Sequence, residues 1–205
     1  MALDSGWTRR EGVISGPPAD PSHRCGPLQE PECDDQKMAT TAPPPNASNT
    51  EVVRWTFELL NEHRIAPLKE HVWTDQSVER FPDRTCRGAE EIGAYFEEAF
   101  TAIPDFHMEL LATAEDGENV LVRWRLTGTH EGPLLGIAPT HKRVEIDGMD
   151  HFVIRDGRLV SNFVVFDQMQ YARQLGMMPP DGSPADRALK GVFNARTKLA
   201  ERLRR

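Results

Sequence analysis

Hydrophobic and polar residues alternate along three consecutive runs between Asn119 and Phe166. A period of two marks strands with one dry face and one wet face. In the first run Val120, Val122, Trp124, Leu126, Gly128 and His130 share a side, opposite Arg123, Arg125 and Thr127. In the second, Val144, Ile146, Gly148, Asp150, Phe152 and Ile154 share the apolar side. Arg155-Asp156-Gly157-Arg158 then reads as a tight hairpin, because Asp-Gly supplies the positive φ that such turns need. The third run, Leu159 to Phe166, stops at Asp167; alternation groups Val160, Asn162, Val164 and Phe166 and sends Asp167 to the other face. His130 and Asp150 therefore sit on sides that are otherwise apolar, which makes them the first candidates for chemistry.

Helical periodicity precedes these strands. Asn49-Thr50-Glu51 caps a first helix whose Val52, Val53, Trp55, Phe57, Leu59 and Leu60 form a broad apolar face. Pro67 suits the first turn of a short second helix that runs through His71. Trp73 to Arg87 reads as a loop with extended pieces at Val78 and Phe81, broken by Pro82-Asp83. A third helix, Ala89 to Ala102, carries Ile92, Tyr95, Phe96, Ala99 and Phe100 at three-to-four spacing. Phe106, Met108, Leu110 and Ala112 alternate into another strand, closed by a turn at Glu115-Asp116-Gly117-Glu118. Helices first and a meander after them predict an α+β fold with helices packed on one face of a sheet.

The ends differ from this middle. Half of the 16 prolines fall in residues 1–49, with few large aliphatic side chains, so a disordered Pro-rich tail is expected there. Met38 is a plausible second start, which would make residues 1–37 dispensable. Residues 50–180 form the expected domain. Residues 181–205 form a basic extension, helical from Ala185, with seven Lys and Arg against two Asp and Glu beyond that point; it is a solvated terminal helix or a partner-docking one.

Net charge of −8 argues against nucleic acid or an anionic membrane as partner. The longest apolar runs are too short to span a bilayer. Three cysteines with no metal spacing and no secretory leader fit a reduced, cytoplasmic setting. His107, His130, His141 and His151 invite a metal, but parity divides them between faces and no i,i+4 His pair occurs, so none is expected.

From about Val52 to Gly176 the order of elements and several short motifs resemble the SnoaL-like polyketide cyclases (also called ester cyclases), within the NTF2-like superfamily. The motifs are Gly128-Thr129-His130-Glu131-Gly132, Gly136-Ile137-Ala138-Pro139-Thr140, Asp150-His151-Phe152 before Asp156-Gly157-Arg158, then Asp167 and Gln174-Leu175-Gly176. The resemblance implies a conical barrel: a curved antiparallel sheet wrapped by three helices around one pocket. It implies a homodimer or higher oligomer, a polyketide-like small molecule of secondary metabolism as substrate, and no cofactor. It also implies intramolecular aldol closure, with Asp167 matching the family's acid/base and Asp150 matching the oxyanion-binding acid of the ketosteroid isomerases. His141 stands where the family usually has Gly, which disfavours a positive φ in that loop.

Aldol closure requires removal of a proton beside a carbonyl and stabilisation of the alkoxide or enolate. A carboxyl in an apolar cone can serve, because desolvation raises its pKa towards working pH. The expected roles are Asp167 as acid/base, Asp150 or His130 as donor to the substrate oxygen, and Trp124, Phe152, Phe166, Asn162 and Tyr95 as substrate-binding groups. Strict parity turns Asp167 outwards, so a bulge or the strand end must redirect it; otherwise Asp167 caps a final helical turn. Structural readings stand beside the other roles: Asp150 as a satisfied core carboxyl, and His130 as the anchor of the Gly-Pro loop. A dehydratase, an isomerase, an epoxide hydrolase built on Asp150 with Arg123 or Arg125, and a non-catalytic ligand-binding or dimerisation module are the competing functions.

Overall fold

A computed structural model describes residues 40–204. The expected Pro-rich tail and the start at Met38 lie, as far as residue 39, outside the described residues. The part of that expected tail which is described is not detached: Trp55 Nε1 donates to the Thr40 carbonyl at 3.0 Å, and Ala47 packs against the core.

The first helix, α1 (Asn49–Asn61), starts one residue earlier than expected, on Ser48. Ser48 and Glu51 form a reciprocal capping box that satisfies two otherwise orphaned N–H groups. The helix buries Val52, Val53, Trp55, Phe57, Leu59 and Leu60, and it packs on the sheet. α2 (Ala66–His71) follows, with Pro67 in its first turn. The stretch read as a loop contains two three-residue strands, β1 (Val78–Arg80) and β2 (Thr85–Arg87), joined across Pro82-Asp83. α3 (Gly88–Ala102) and the long strands β3 (His107–Asp116), β4 (Asn119–Thr129), β5 (Arg143–Arg155) and β6 (Arg158–Phe166) complete the α+β body.

The six strands make one sheet in the order β2-β1-β6-β5-β4-β3. It is mixed rather than wholly antiparallel, because β1 runs parallel to β6. Ser77 Oγ fixes this pairing by donating to the Leu159 carbonyl at 2.6 Å. The inward rows predicted for β4 and β5 are buried from end to end, apart from half-buried Leu126. In β6 the row slips: the register passes from Val153↔Ser161 to Ile154↔Leu159, a bulge that leaves Val160 unpaired and exposed. Asn162, Val164 and Phe166 recover the inward side beyond it.

The hairpin at Asp156-Gly157 has φ of 50° and 72°, as the Asp-Gly signal requires. His141 does adopt a positive φ of 55°, against expectation. It is held there by Nδ1 at 2.6 Å from Glu131 Oε2, and by its own N–H donating to the His130 carbonyl. After β6 come α4 (Gln168–Leu175) and α5 (Pro184–Leu203), which every residue from Arg187 to Arg204 leaves exposed. No helix among the described residues is long and apolar enough to cross a membrane.

Candidate active site

Between the inward side of the sheet and helices α1, α3 and α4 lies a cavity of about 380 Å3. Its walls are mainly aromatic and aliphatic, among them Phe57, Phe96, Phe106, Ile146 and Phe152. Four buried polar side chains break this lining, each at most 6% exposed: Thr56, whose hydroxyl is spent on the Val52 carbonyl of its own helix, and Glu79, Asp150 and Asn162.

Strand register brings the last three together. Glu79 is the central residue of β1 and pairs with Asn162 of β6, so both project to the same inner side. Asn162 in turn faces Phe152 of β5, one inward step from Asp150. The Asn162 carboxamide donates one N–H to Asp150 Oδ2 at 3.2 Å and the other to Glu79 Oε2 at 3.4 Å. Trp124 Nε1 also donates to Asp150 Oδ1 at 2.8 Å, and the Trp73 side chain favours the charged form of Glu79. The Trp124 contact depends on Gly148, which faces it across β4 and β5. A Cβ at residue 148 would come within 2.2 Å of the indole ring, so glycine lets the ring lie flat over β5 and reach along it to Asp150.

Burial dominates the protonation of this pair. Desolvation raises Asp150 to about 6, against the indole and carboxamide bonds that favour its charged form. Glu79 rises further, to about 8, through desolvation and then the negative charge of Asp150, partly offset by Asn162 and Trp73. Near neutral pH the site therefore holds one carboxylate and one carboxylic acid, a base and an acid joined through one amide.

Trp124, Phe152, Phe166, Asn162, Tyr95 and Asp150 all line the cavity. Asp167 does not. It is the N-cap of α4, exposed, accepting from the backbone N–H groups of Met169 and Gln170 at 2.9 Å each. No bulge turns it inwards, because the slip in β6 lies at its other end and is already absorbed at Val160. His130 is fully buried yet is not part of the lining; its Nδ1 accepts from the Thr140 N–H at 3.2 Å and lies 3.0 Å from Thr140 Oγ1, which anchors the 131–141 loop. Arg123 and Arg125 lie on the outer face and bond to Asp147. Among the described residues no three His, Cys, Asp or Glu side chains gather as a metal-ligand set.

Glu79 was not expected from the sequence. It lies in a three-residue strand, too short to show a period, beside Arg80 and just before Pro82. The signal that could have found it is the row Ser77, Glu79, Phe81, in which the two flanking residues are buried or packed on the core.

Residues 50–175 match the family described as SnoaL-like polyketide cyclase. The chain belongs to this family. No curated protein sequence matches it significantly. Solved structures share its fold. AclR of Streptomyces galilaeus, a hydroxylase candidate, is 24% identical with a TM-score of 0.58, over 76% of this chain and 94% of its own. A SnoaL-like polyketide cyclase candidate from Jannaschia Sp. CCS1 is 22% identical with a TM-score of 0.59, over 75% and 100%. TsrD of Streptomyces laurentii is 24% identical with a TM-score of 0.59, over 65% and 98%. At these identities the likeness extends to the NTF2-like α+β fold that frames the cavity.

Proposed function

We propose that this SnoaL-like protein closes a ring in a small, polyketide-like molecule by intramolecular aldol addition, using its own side chains as acid and base. The observation that carries the reading is the buried pair Asp150 and Glu79, bridged by Asn162 inside an apolar cavity. Ionised Asp150 takes the proton from a carbon beside a carbonyl. The resulting enolate carbon attacks a second carbonyl of the same molecule, and the new alkoxide takes the proton of Glu79. Transfer of the proton from Asp150 back to Glu79 resets the pair, with none gained or lost overall. Apolar walls favour the step by excluding water, which keeps both carboxyl pKa values raised.

An isomerase reading uses the same pair, because a neutral carboxylic acid can donate to an enolate oxygen while a carboxylate moves a proton between carbons; the handling of a protonated acid by ketosteroid isomerase is the known precedent. An epoxide hydrolase is less well supported. Arg123 and Arg125 are engaged with Asp147 on the outer face, and Arg84, the arginine of the lining, is paired with Glu98. Incubating the protein with a linear polyketide carrying two carbonyls, and resolving products by mass and NMR, separates cyclisation from double-bond migration. Loss of ring closure of at least about 100-fold in both Asp150→Asn and Glu79→Gln is the expected result; unchanged rates in both would end the acid/base assignment.

A homodimer is part of the same proposal. Leu121, Met149, Phe163 and Val165 are exposed as neighbours on the outer face of β4, β5 and β6, the kind of apolar patch that marks an interface. Light scattering after chromatography tests it: Phe163→Glu should convert a dimer into monomers.

A further inference from the structure

The cavity makes no use of α5. This helix begins at Pro184, beyond the stretch 50–175 that matches the family, and every residue from Arg187 to Arg204 is exposed. Its root is nevertheless tied down. Ser183 Oγ accepts from the Asp186 N–H, and the Asp186 carboxylate accepts from the Gly182 N–H and from Lys190 Nζ at 2.6 Å. Lys190 also reaches Asp181, which lies 3.6 Å from Arg173 of α4. A network of four charged side chains therefore sets the direction of a helix whose remaining length packs on nothing among the described residues.

One side of α5 is apolar. Leu189, Val192, Phe193, Leu199 and Leu203 recur along it at helical spacing, each at least half exposed, and Arg196 stands in the gap between Phe193 and Leu199. The opposite side carries Arg187, Lys190, Lys198 and Arg202. Between residues 187 and 204 there are six Lys and Arg against one Glu, whereas residues 50–180 carry 22 Asp and Glu against 13 Lys and Arg. The arm and the body that bears it have opposite charge.

Arg196 narrows what can cover the stripe. Two α5 helices paired along it would bring their Arg196 guanidiniums into one apolar seam without a carboxylate. An anionic bilayer would meet the same arginine in the face that has to enter the lipid, and would repel the acidic body. A second copy of the chain offers both things the stripe lacks. Its outer sheet face exposes Leu121, Met149, Phe163 and Val165 as neighbours. On the same face lie Glu109, Glu145 and Asp147, whose three carboxylates outnumber the two arginines among them, Arg123 and Arg125.

We propose that α5 is an arm that docks on the outer sheet face of a second copy, its apolar stripe over the Leu121–Phe163 patch and Arg196 among those carboxylates. A two-fold axis lets each copy lend its arm to the other, so both stripes and both patches are covered at once. The inference rests on the homodimer reading and adds the segment that makes the contact.

The test places a benzophenone-bearing phenylalanine at position 193 of the full chain, an exposed site, and maps the photo-crosslinks by mass spectrometry. A covalent dimer joining the α5 peptide to peptides of β4, β5 or β6 is expected. Sedimentation equilibrium should show the dimer weakened at least about tenfold by Phe193→Glu, as by Phe163→Glu. A dimer broken by Phe163→Glu but not by Phe193→Glu overturns the inference and leaves the homodimer reading standing. Crosslinks confined to one chain, or joining two α5 peptides, do the same. A wild type that stays monomeric at every concentration overturns both. Capture on phosphatidylserine vesicles that is lost in Phe193→Glu, with no covalent dimer, overturns the inference in favour of a lipid surface.

Discussion

Trp124 Nε1 donates to Asp150 Oδ1 at 2.8 Å, from one inward row of the sheet to the next. The bond favours the charged form of Asp150 and so opposes the desolvation that raises it to about 6. Removing it should raise Asp150 further. In Trp124→Phe the acidic limb of the pH–rate profile is expected to move to higher pH by about one unit, the equivalent of one hydrogen bond to a charged group. A limb that stays in place would show that Asp150 is not the group whose ionisation switches activity on.

Glu79 governs the other limb. With Asp150 active when ionised and Glu79 active when protonated, kcat/KM should be bell-shaped, rising through about 6 and falling through about 8. The two apparent values belong to the coupled pair. Glu79→Gln keeps the size of the side chain but has no proton to release and recapture, so its residual activity should lack the alkaline fall. A wild-type profile that is flat between pH 5 and 9 would exclude this pair as the acid and base.

The same carboxyl shapes stability. Glu79 titrates at about 8 when folded, against an ordinary value near 4.5, so the folded state holds its proton between those limits while the unfolded chain has lost it. Its favourable contribution is therefore complete below about pH 4.5 and is lost as pH rises through about 8. Glu79→Gln removes the penalty, and the variant should gain on the wild type by a few kcal/mol between pH 5 and pH 9. Thermal unfolding across that range is the measurement; a constant difference in Tm would mean that Glu79 is not buried as a titrating group.

Much of this was legible in the sequence, for reasons that vary by element. The inward rows of β4 and β5 are eleven and thirteen residues long, enough for a period of two to stand out, and they place Trp124, Asp150 and Phe152 directly. β1 spans three residues, and its partner in the sheet, β6, is 83 positions away at Glu79↔Asn162. No local pattern encodes that pairing, so Glu79 emerges only when the chain is folded. At Asp167 resemblance and parity pointed different ways: the resemblance implied an acid/base in the pocket, while parity and the capping preference of Asp before a short helix pointed outwards, where the side chain lies as the cap of α4.

Gly148 is predicted to be as important as the polar groups. Alanine there would force its Cβ to within 2.2 Å of the Trp124 ring, far inside contact distance, so the indole must swing away. Loss of the bond to Asp150 should follow, together with an overpacking cost of about 1–3 kcal/mol. Gly148→Ala should thus show the raised acidic limb of Trp124→Phe plus a lowered Tm. A stable variant with wild-type pH dependence would mean that the ring has room to lie elsewhere and still reach Asp150.

Asp167 offers the sharpest choice between geometry and resemblance. Its carboxylate caps α4 through the N–H groups of Met169 and Gln170, and asparagine caps a helix about as well as aspartate. Asp167→Asn should therefore fold normally, with a change in stability below about 0.5 kcal/mol, and retain ring-closing activity within about twofold. A general acid or base, by contrast, contributes about 100- to 10,000-fold. The comparison with Asp150→Asn in one assay is decisive, because both substitutions delete one ionisable oxygen and leave the side-chain volume nearly unchanged. Collapse of activity in Asp167→Asn with Asp150→Asn intact would require α4 to reposition its first turn over the cavity during turnover, and would return the acid/base role to the strand end.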